Sequence, residues 1–517
     1  MEQVKLYDTT LRDGMQGEGV SLSASEKARV VVALDALGVR MIEAGFPSSN
    51  PKEVELFEQL AELELKQATI CAFGMTRRRD VAAAEDAALR TLVESFTPMV
   101  TLVGKTWGLH LEKVTKASRE ENLAMIADSV AFCRERGKRV VYDAEHFFDA
   151  HRDDPGYALE CLEAAIGAGA ENVTLCDTNG SSLPDQIASA TAAVAERVGG
   201  RVELGIHVHD DAGCGVANSL AAVREGARVV QGTVNGYGER CGNANLTSIL
   251  PALQLKMGFE VLSAEQLASL AETVHFVDEL CNVTPNPDAP YVGRNAFAHK
   301  GGMHVAGIEA DARTFEHIDP AAVGNQRNVL PSELSGKATI RAQAEQAGLE
   351  LDDAAAARAV ERLKQREHEG YHYEAAPASF ELLLRREAGS YQPLFKLESF
   401  RVVTEKRADG EVETEATIKV EVAGERYLRV AEGNGPVNAL DRALRGAIAD
   451  RYPHLADIEL TNYKVRILDE AHGTGAVTRV LLDSTDGSRE WGTIGVSENI
   501  IEASWEALVD SLEYAFQ

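Results

Sequence analysis

The sequence predicts an α/β fold: a (β/α)8 barrel, then a mostly helical stretch, then an α+β domain. Three observations predict it. Short apolar runs alternate with amphipathic helical stretches eight times in under 250 residues. The turn after the first run reads DTTLRDG (8–14), not the glycine-rich phosphate loop that opens most doubly wound sheets. From residue 395 the hydrophobic period changes from helical to alternating.

Taken in order, the strand candidates are 4–8, 40–46, 68–74, 99–104, 139–145, 172–177, 203–209 and 229–235. Helical patterns lie between them, among them 23–37, 119–136, 157–168 and 184–198. Ser23 opens the first of these as an N-cap and Gly38 stops it. The alternation ends near residue 250. A largely helical region follows to about residue 386, interrupted by TPNPDAPYVG (284–293) and by polar loops near 311–337. Beyond it, FKLESFRVVTEK, EVETEATIKVEVAG and ERYLRVAEG alternate with period two around a turn at 408–410. A helix is predicted over 436–449, strands near 457–468, 476–483 and 489–496, and a last helix over 499–516. The expected division is a barrel at 1–257, a helical region at 258–390 that folds back over it, and an α+β domain at 391–517.

The chain has 517 residues, is 45% hydrophobic and 26% charged, and carries a formal charge of −29. A surface this acidic argues against binding nucleic acid or anionic membranes. No apolar run approaches the roughly 18 residues of a membrane span. The start runs directly into a strand without the regions of a signal peptide, and seven cysteines lie scattered without a CxxC pair. Both features lead to the expectation of a cytoplasmic protein with reduced thiols. Anionic substrates would need a local cationic site, and Arg77-Arg78-Arg79, read as opening a helix after the third strand, is either that site or an ordinary solvated charge run.

Active sites of such barrels sit at the carboxyl ends of the strands. Arg12-Asp13 follows the first strand, and His207-Val208-His209-Asp210 ends the seventh. The two histidines share a face because they stand two apart on a strand. Alone, such a pair is as well explained by hydrogen bonding in a polar barrel mouth. Together with Asp13 and with Asn243, after the eighth strand, it makes a mixed nitrogen and oxygen divalent-metal site with open positions. Zinc, manganese, magnesium or cobalt would suit it. Arg12 is either a rim salt bridge with Asp13 or a guanidinium aimed at a developing oxyanion. Glu145 ends the fifth strand and could act as a base or hold a substrate carbonyl. Thr178 follows the sixth and could donate to a substrate carboxylate. A capped turn and a helix N-cap explain the latter two equally well.

LYDTTLRDGMQ (6–16), HVHD (207–210) and GYGERCGN (236–243) resemble the signatures of the isopropylmalate synthase and homocitrate synthase family. These are metal-dependent barrels that condense acetyl-CoA with a 2-oxo acid. GNGPVNALDRAL (433–444) and WGTIGVSENIIEAS (491–504) resemble that family's regulatory, dimerising domain. The resemblance spans nearly the whole chain. DGMQGEGVSLS (13–23), VGKTWGLH (103–110), YDAEHFFDA (142–150) and the stretch 315–337 are most similar to the branch that uses pyruvate. The resemblance implies that Asp13, His207, His209 and Asn243 hold the metal, that Arg12 polarises the pyruvate carbonyl, and that Thr178 and Glu145 position pyruvate; Asp210 and Glu239 are then candidates to orient the ligands. It also implies that His304, in AFAHKGGMHVAGI (296–308), acts in removing the acetyl methyl proton, with His299 its neighbour and competitor. Phe315 departs from the pattern, since relatives often carry a tyrosine there. A homodimer is implied, and for the pyruvate branch an isoleucine effector, with candidate contacts in HGTGAVT (472–478) and GTIGVSE (492–498). The competing readings are a synthase for a larger 2-oxo acid, an acyl-CoA lyase, and a non-catalytic amino-acid sensor.

Overall fold

The structure, a computed structural model, describes residues 2–47, 49–300, 302–329, 336–468 and 475–517. It divides into two compact units. The first holds residues up to 297 together with 318–326; the second holds 298–317 and 327–517.

The first unit is the expected barrel. Its strands are β1 (Lys5–Asp8), β2 (Met41–Gly45), β3 (Thr69–Met75), β4 (Met99–Lys105), β5 (Arg139–Glu145), β6 (Asn172–Asp177), β7 (Glu203–Val208) and β8 (Val229–Gly232). They pair in parallel in sequence order, and β1 closes the ring on β8 with Lys5 opposite Val229. All eight candidate segments are strands: β5 and β6 match their segments, β3 and β4 run one residue further, and the other four are shorter. β8 stops at Gly232 because Asn235 takes a φ of 54° in a tight turn. β7 stops at Val208, and His209 continues only as an isolated bridge to Asn243. The helix Ala24–Leu37 begins as the sequence indicated. Ser23 Oγ accepts the Glu26 N–H, Glu26 returns a bond to the Ser23 N–H, and Gly38 ends the helix at φ 107°.

The barrel interior is layered. At the amino-terminal end of the strands, Tyr7, Met41, Cys71, Met99, Val141 and Val229 form an apolar plug. Two residues further along, the inward positions of β2, β4, β5 and β8 turn polar: Glu43, Thr101, Asp143 and Gln231 are all buried, as is Thr174 of β6 beside them. The site stands on this layer. The helices Ala264–Leu267 and Leu270–Leu280 belong to the same unit and contribute Leu267, Leu270, Val274 and Val277 to its core.

The second unit carries a short parallel pair, β9 (Ala298–His299) and β10 (Asn328–Val329). The helices Lys337–Gln346, Asp353–His368 and Pro377–Ala388 follow. Then come two antiparallel three-stranded sheets. One is β11 (Lys396–Lys406), β12 (Val412–Val422) and β13 (Glu425–Gly433). The other is β14 (Glu459–Ile467), β15 (Thr478–Thr485) and β16 (Glu490–Ser497). Helix Pro436–Ile448 packs on the first sheet and helix Ile500–Ala515 on the second. Ala416, Ile418 and Val420 of β12 meet Leu440 and Leu444, and Leu482 shares that core with Leu508 and Leu512. The alternating pattern read from the sequence is this inward row.

Asp35 ties the helix Ala24–Leu37 to the segment entering β3. Its buried carboxylate accepts the backbone N–H groups of Lys66, Gln67 and Ala68 at 2.8, 2.9 and 2.7 Å. Burial opposes ionisation, but the three donors outweigh it and hold the group below the usual carboxylate range. A lowered folded-state value adds stability above the unfolded-state value and loses it as pH falls. Asp35→Ala is therefore expected to cost about 2 kcal/mol near neutrality. In denaturant titrations the gap between the variant and the parent closes as the pH is brought below 4.

Candidate functional site

The mouth of the barrel gathers groups from β1, β2, β7, β8 and the loops after them. Asp13 lies in the turn after β1, whose backbone folds back so that the N–H groups of Arg12, Asp13 and Gly14 all reach Thr9 O. Asp13 Oδ2 stands 3.3 Å from His207 Nε2 and 3.8 Å from His209 Nε2. All three residues are buried, and each brings one ligand atom within 4.8 Å of the others. Asn243 is paired with His209 across an isolated bridge. Its Nδ2 donates to Tyr237 O at 3.1 Å, while its Oδ1 is buried without a hydrogen-bond partner. Gly238 makes room for it: at φ 151°, an added Cβ would meet Asn243 Nδ2 at 2.2 Å.

The chemistry of this donor set fits a divalent cation. It combines a carboxylate, two imidazoles and an amide oxygen with no bond of its own. Burial raises the cost of ionising Asp13, but Arg12 and the two imidazoles outweigh it and hold the carboxyl well below its ordinary range. Burial and the neighbouring His207 push His209 down to about 4. That keeps His209 neutral, the form that binds metal. His207 is oriented from behind. Its Nδ1 pairs with Gln231 Oε1 at 2.9 Å, and Gln231 Nε2 donates to Asp143 Oδ1 at 2.9 Å and Thr174 Oγ1 at 3.2 Å. Such outer partners fix the ring and its tautomer.

Arg12 is pinned beside this cluster. Its Nε donates to Glu43 Oε1 at 2.7 Å, and its Nη1 lies 3.2 Å from Asp13 Oδ1. Its guanidinium carbon sits 4.0 Å over the ring of Phe73. Glu43 is fully buried and also accepts the Tyr7 hydroxyl at 2.8 Å. Arg12 is thus more than a rim salt bridge: it is a fixed cation next to the candidate metal ligands.

Glu145 is ion-paired with Lys105. Glu145, His110 and His146 also bring ligand atoms within 4.8 Å of one another, but the Lys105 ammonium already supplies a cation there. Thr178 Oγ1 accepts the His146 N–H at 3.0 Å, which leaves its own hydroxyl proton to donate. His304 belongs to the second unit, on helix Gly302–Ala310, where it is exposed and stacks on Phe315 with ring centroids 4.1 Å apart. His299 pairs with Glu316 at 3.3 Å, and Glu316 is clamped by Arg327.

Two readings need correction. Arg77–Arg79 do not open a helix; they lie in a loop, and the next α-helix, Ala87–Glu94, is capped by Asp86. Arg77 is buried between Glu121 and Asp128. Asp210 and Glu239, read as orienting the ligands, do otherwise. Asp210 Oδ1 accepts the Gly215 N–H at the start of a helix, and the Glu239 carboxylate pairs with Arg240. Sequence reasoning does not single out Glu43, Gln231 or Asp143, because a polar residue inside a strand carries no signal until the closed barrel shows that it points inward.

The family models cover nearly the whole chain. The one described as HMGL-like matches residues 3–277. The homocitrate synthase post-HMGL domain-like model matches 291–370. The LeuA allosteric (dimerisation) domain matches 374–516. The chain is 48% identical to an (R)-citramalate synthase of Synechocystis, over 99% of this chain and 96% of that protein. It is 47% identical to the (R)-citramalate synthase of Aquifex aeolicus, over 99% and 98%. A probable 2-isopropylmalate synthase of Methanopyrus kandleri is 34% identical over 98% and 97%.

The buried Arg12–Glu43 pair makes a direct prediction. Glu43→Ala strips a fixed cation of its main partner and is expected to cost about 3–5 kcal/mol in denaturant titrations. Glu43→Gln keeps the shape and should lose less.

Proposed function

The chain belongs to the HMGL-like family, among the full-length (R)-citramalate synthases, and from that footing we propose that it condenses acetyl-CoA with pyruvate to give citramalate and CoA. The observation that carries this reading is the similarity to those synthases over 99% of the chain.

Asp13, His207, His209 and Asn243 would hold one divalent ion, which would supply Lewis-acid polarisation of the oxo-acid carbonyl. Zinc, manganese, magnesium and cobalt all suit the donor set. Arg12, fixed by Glu43 and by the face of Phe73, offers its remaining N–H groups to the oxygen that becomes an alkoxide at C2. Thr178 donates its hydroxyl proton to the pyruvate carboxylate, and Glu145, steadied by Lys105, positions the pyruvate from the adjoining strand end. His304 takes a proton from the acetyl methyl group. The carbon so formed attacks pyruvate C2, and water then cleaves the thioester to release CoA. Phe315 stacks on His304 and orients its ring, but it has no hydroxyl to relay a proton.

The second unit is read as a dimerising sensor of isoleucine, the end product this reaction would feed. Leu428 and Val430 of β13, with Tyr463, Val465 and Ile467 of β14, expose apolar side chains that a second copy would cover. Of the two candidate effector segments, 492–498 lies on β16 and its flank, while residues 472–474 of the other fall outside the described residues. No helix among the described residues is long and apolar enough to cross a membrane, and the substrates suit a cytoplasmic enzyme.

CoA release by the metal-loaded protein should be fastest with pyruvate when it is compared with 2-oxobutyrate, 2-oxoisovalerate and 2-oxoglutarate. Preference for a bulkier acid would move the chain to the isopropylmalate or homocitrate branch, and silence with all four would favour the lyase or sensor readings. Gln231→Leu removes the partner that orients His207 and is expected to weaken manganese binding 10–100-fold by calorimetry. Isoleucine should lower activity and raise the melting temperature; an unchanged value of both would remove the effector assignment.

A further inference from the structure

A cavity of about 350 Å3 opens at the amino-terminal end of the barrel, on the far side of the apolar plug from the candidate metal ligands. It is built from two consecutive rings of side chains. Register pairs Lys5 with Val229, Thr69 with Met41, Arg139 with Met99 and Glu203 with Asn172. The odd-numbered strands thus supply a polar ring at the opening, and the even-numbered strands supply a floor of Met41, Met99, Val229 and Asn172.

Asn172 is the one polar member of that floor, and it is 3% exposed. Its Oδ1 accepts the Thr174 hydroxyl at 2.7 Å, which accounts for one end of the amide. Its Nδ2 is buried without a hydrogen-bond partner among the described residues. A buried donor of this kind is costly unless something accepts from it. The ring above shows a matching imbalance. Lys5 pairs with Glu203, and Arg139 shares Glu171 with Arg134. Arg40, at the entry to β2, lines the same cavity, is exposed, and has no ion-pair partner among the described residues. In a chain with a formal charge of −29, an unpaired guanidinium beside a cavity is a local exception.

We propose that this cavity binds a small organic carboxylate: its oxygens meet Arg40 and the Asn172 amide, and its short aliphatic body lies on Met41, Met99 and Val229. The two groups without partners are both donors, which selects an anion with more than one acceptor oxygen. The apolar floor selects an organic anion over an inorganic one, and the volume lies at the lower end of small-molecule sites. The site stands apart from the reaction, and it does not depend on which oxo acid the mouth of the barrel accepts.

The test titrates butyrate into the full chain and reads carbon-13-labelled methionine methyl groups by NMR, because two of the eight methionines form the floor. The Met41 and Met99 signals, assigned through Met41→Leu and Met99→Leu, should shift and saturate. Butylammonium has the same tail and the opposite charge and should leave them in place, as should inorganic phosphate. Arg40→Ala should raise the Kd for butyrate about tenfold, and Arg40→Lys should recover part of the loss. The Arg40 side chain is exposed, so both variants should fold as the parent does. Met15, two residues from Asp13, reports any butyrate taken up at the mouth of the barrel and should titrate independently of Arg40. Floor methyl signals that do not move, or that move without saturating, would overturn the proposal. So would an equal response to phosphate or butylammonium, or an unchanged Kd in Arg40→Ala.

Discussion

A buried hydrogen-bonded chain through the centre of the barrel is what the site depends on. Asp143 and Thr174 receive Gln231, Gln231 orients His207, and His207 faces Asp13. Each member is buried, so each would be costly without its neighbours. Asp143 shows the strain: burial and the nearby Glu43 push it up to about 6. The polar layer thus does at the middle of the barrel what apolar side chains do at its base. It fills the interior, and it also sets the direction of an imidazole.

Arg12 is held by the same logic from the other side. A guanidinium kept out of water needs a carboxylate, and Glu43 supplies one from a strand whose other residues are apolar. Phe73 then closes the remaining face. The outcome is a cation that cannot swing away to solvent, which suits charge stabilisation better than a flexible surface arginine would.

Much of this was legible in the sequence, and the reasons differ from residue to residue. The eight strands were readable because a parallel barrel buries both faces of each strand, so the runs are short, apolar and evenly spaced. Asp13, His207 and His209 were readable because polar residues at strand ends have one default location in this fold. Gln231 and Glu43 were not, because a single polar residue inside a strand has no pattern until the barrel closes and shows which way it points. The arginine run misled for a related reason. Three like charges suggest one role, yet Arg77 is buried between two carboxylates while Arg78 and Arg79 stay at the surface. The second unit's sheets were visible as alternation, but the partners that Asp210 and Glu239 take, the Gly215 N–H and Arg240, depend on loop geometry that no periodicity encodes.

The barrel closes by pairing β1 with β8, and the first and last candidate ligands, Asp13 and Asn243, stand on either side of that seam. During synthesis, the residues between them take on the order of 10–50 s to emerge at ordinary translation rates. Until then Asp13 has no imidazole or amide partner from the far end of the barrel. Any choice among competing metals would therefore fall to the folded barrel rather than to the growing peptide.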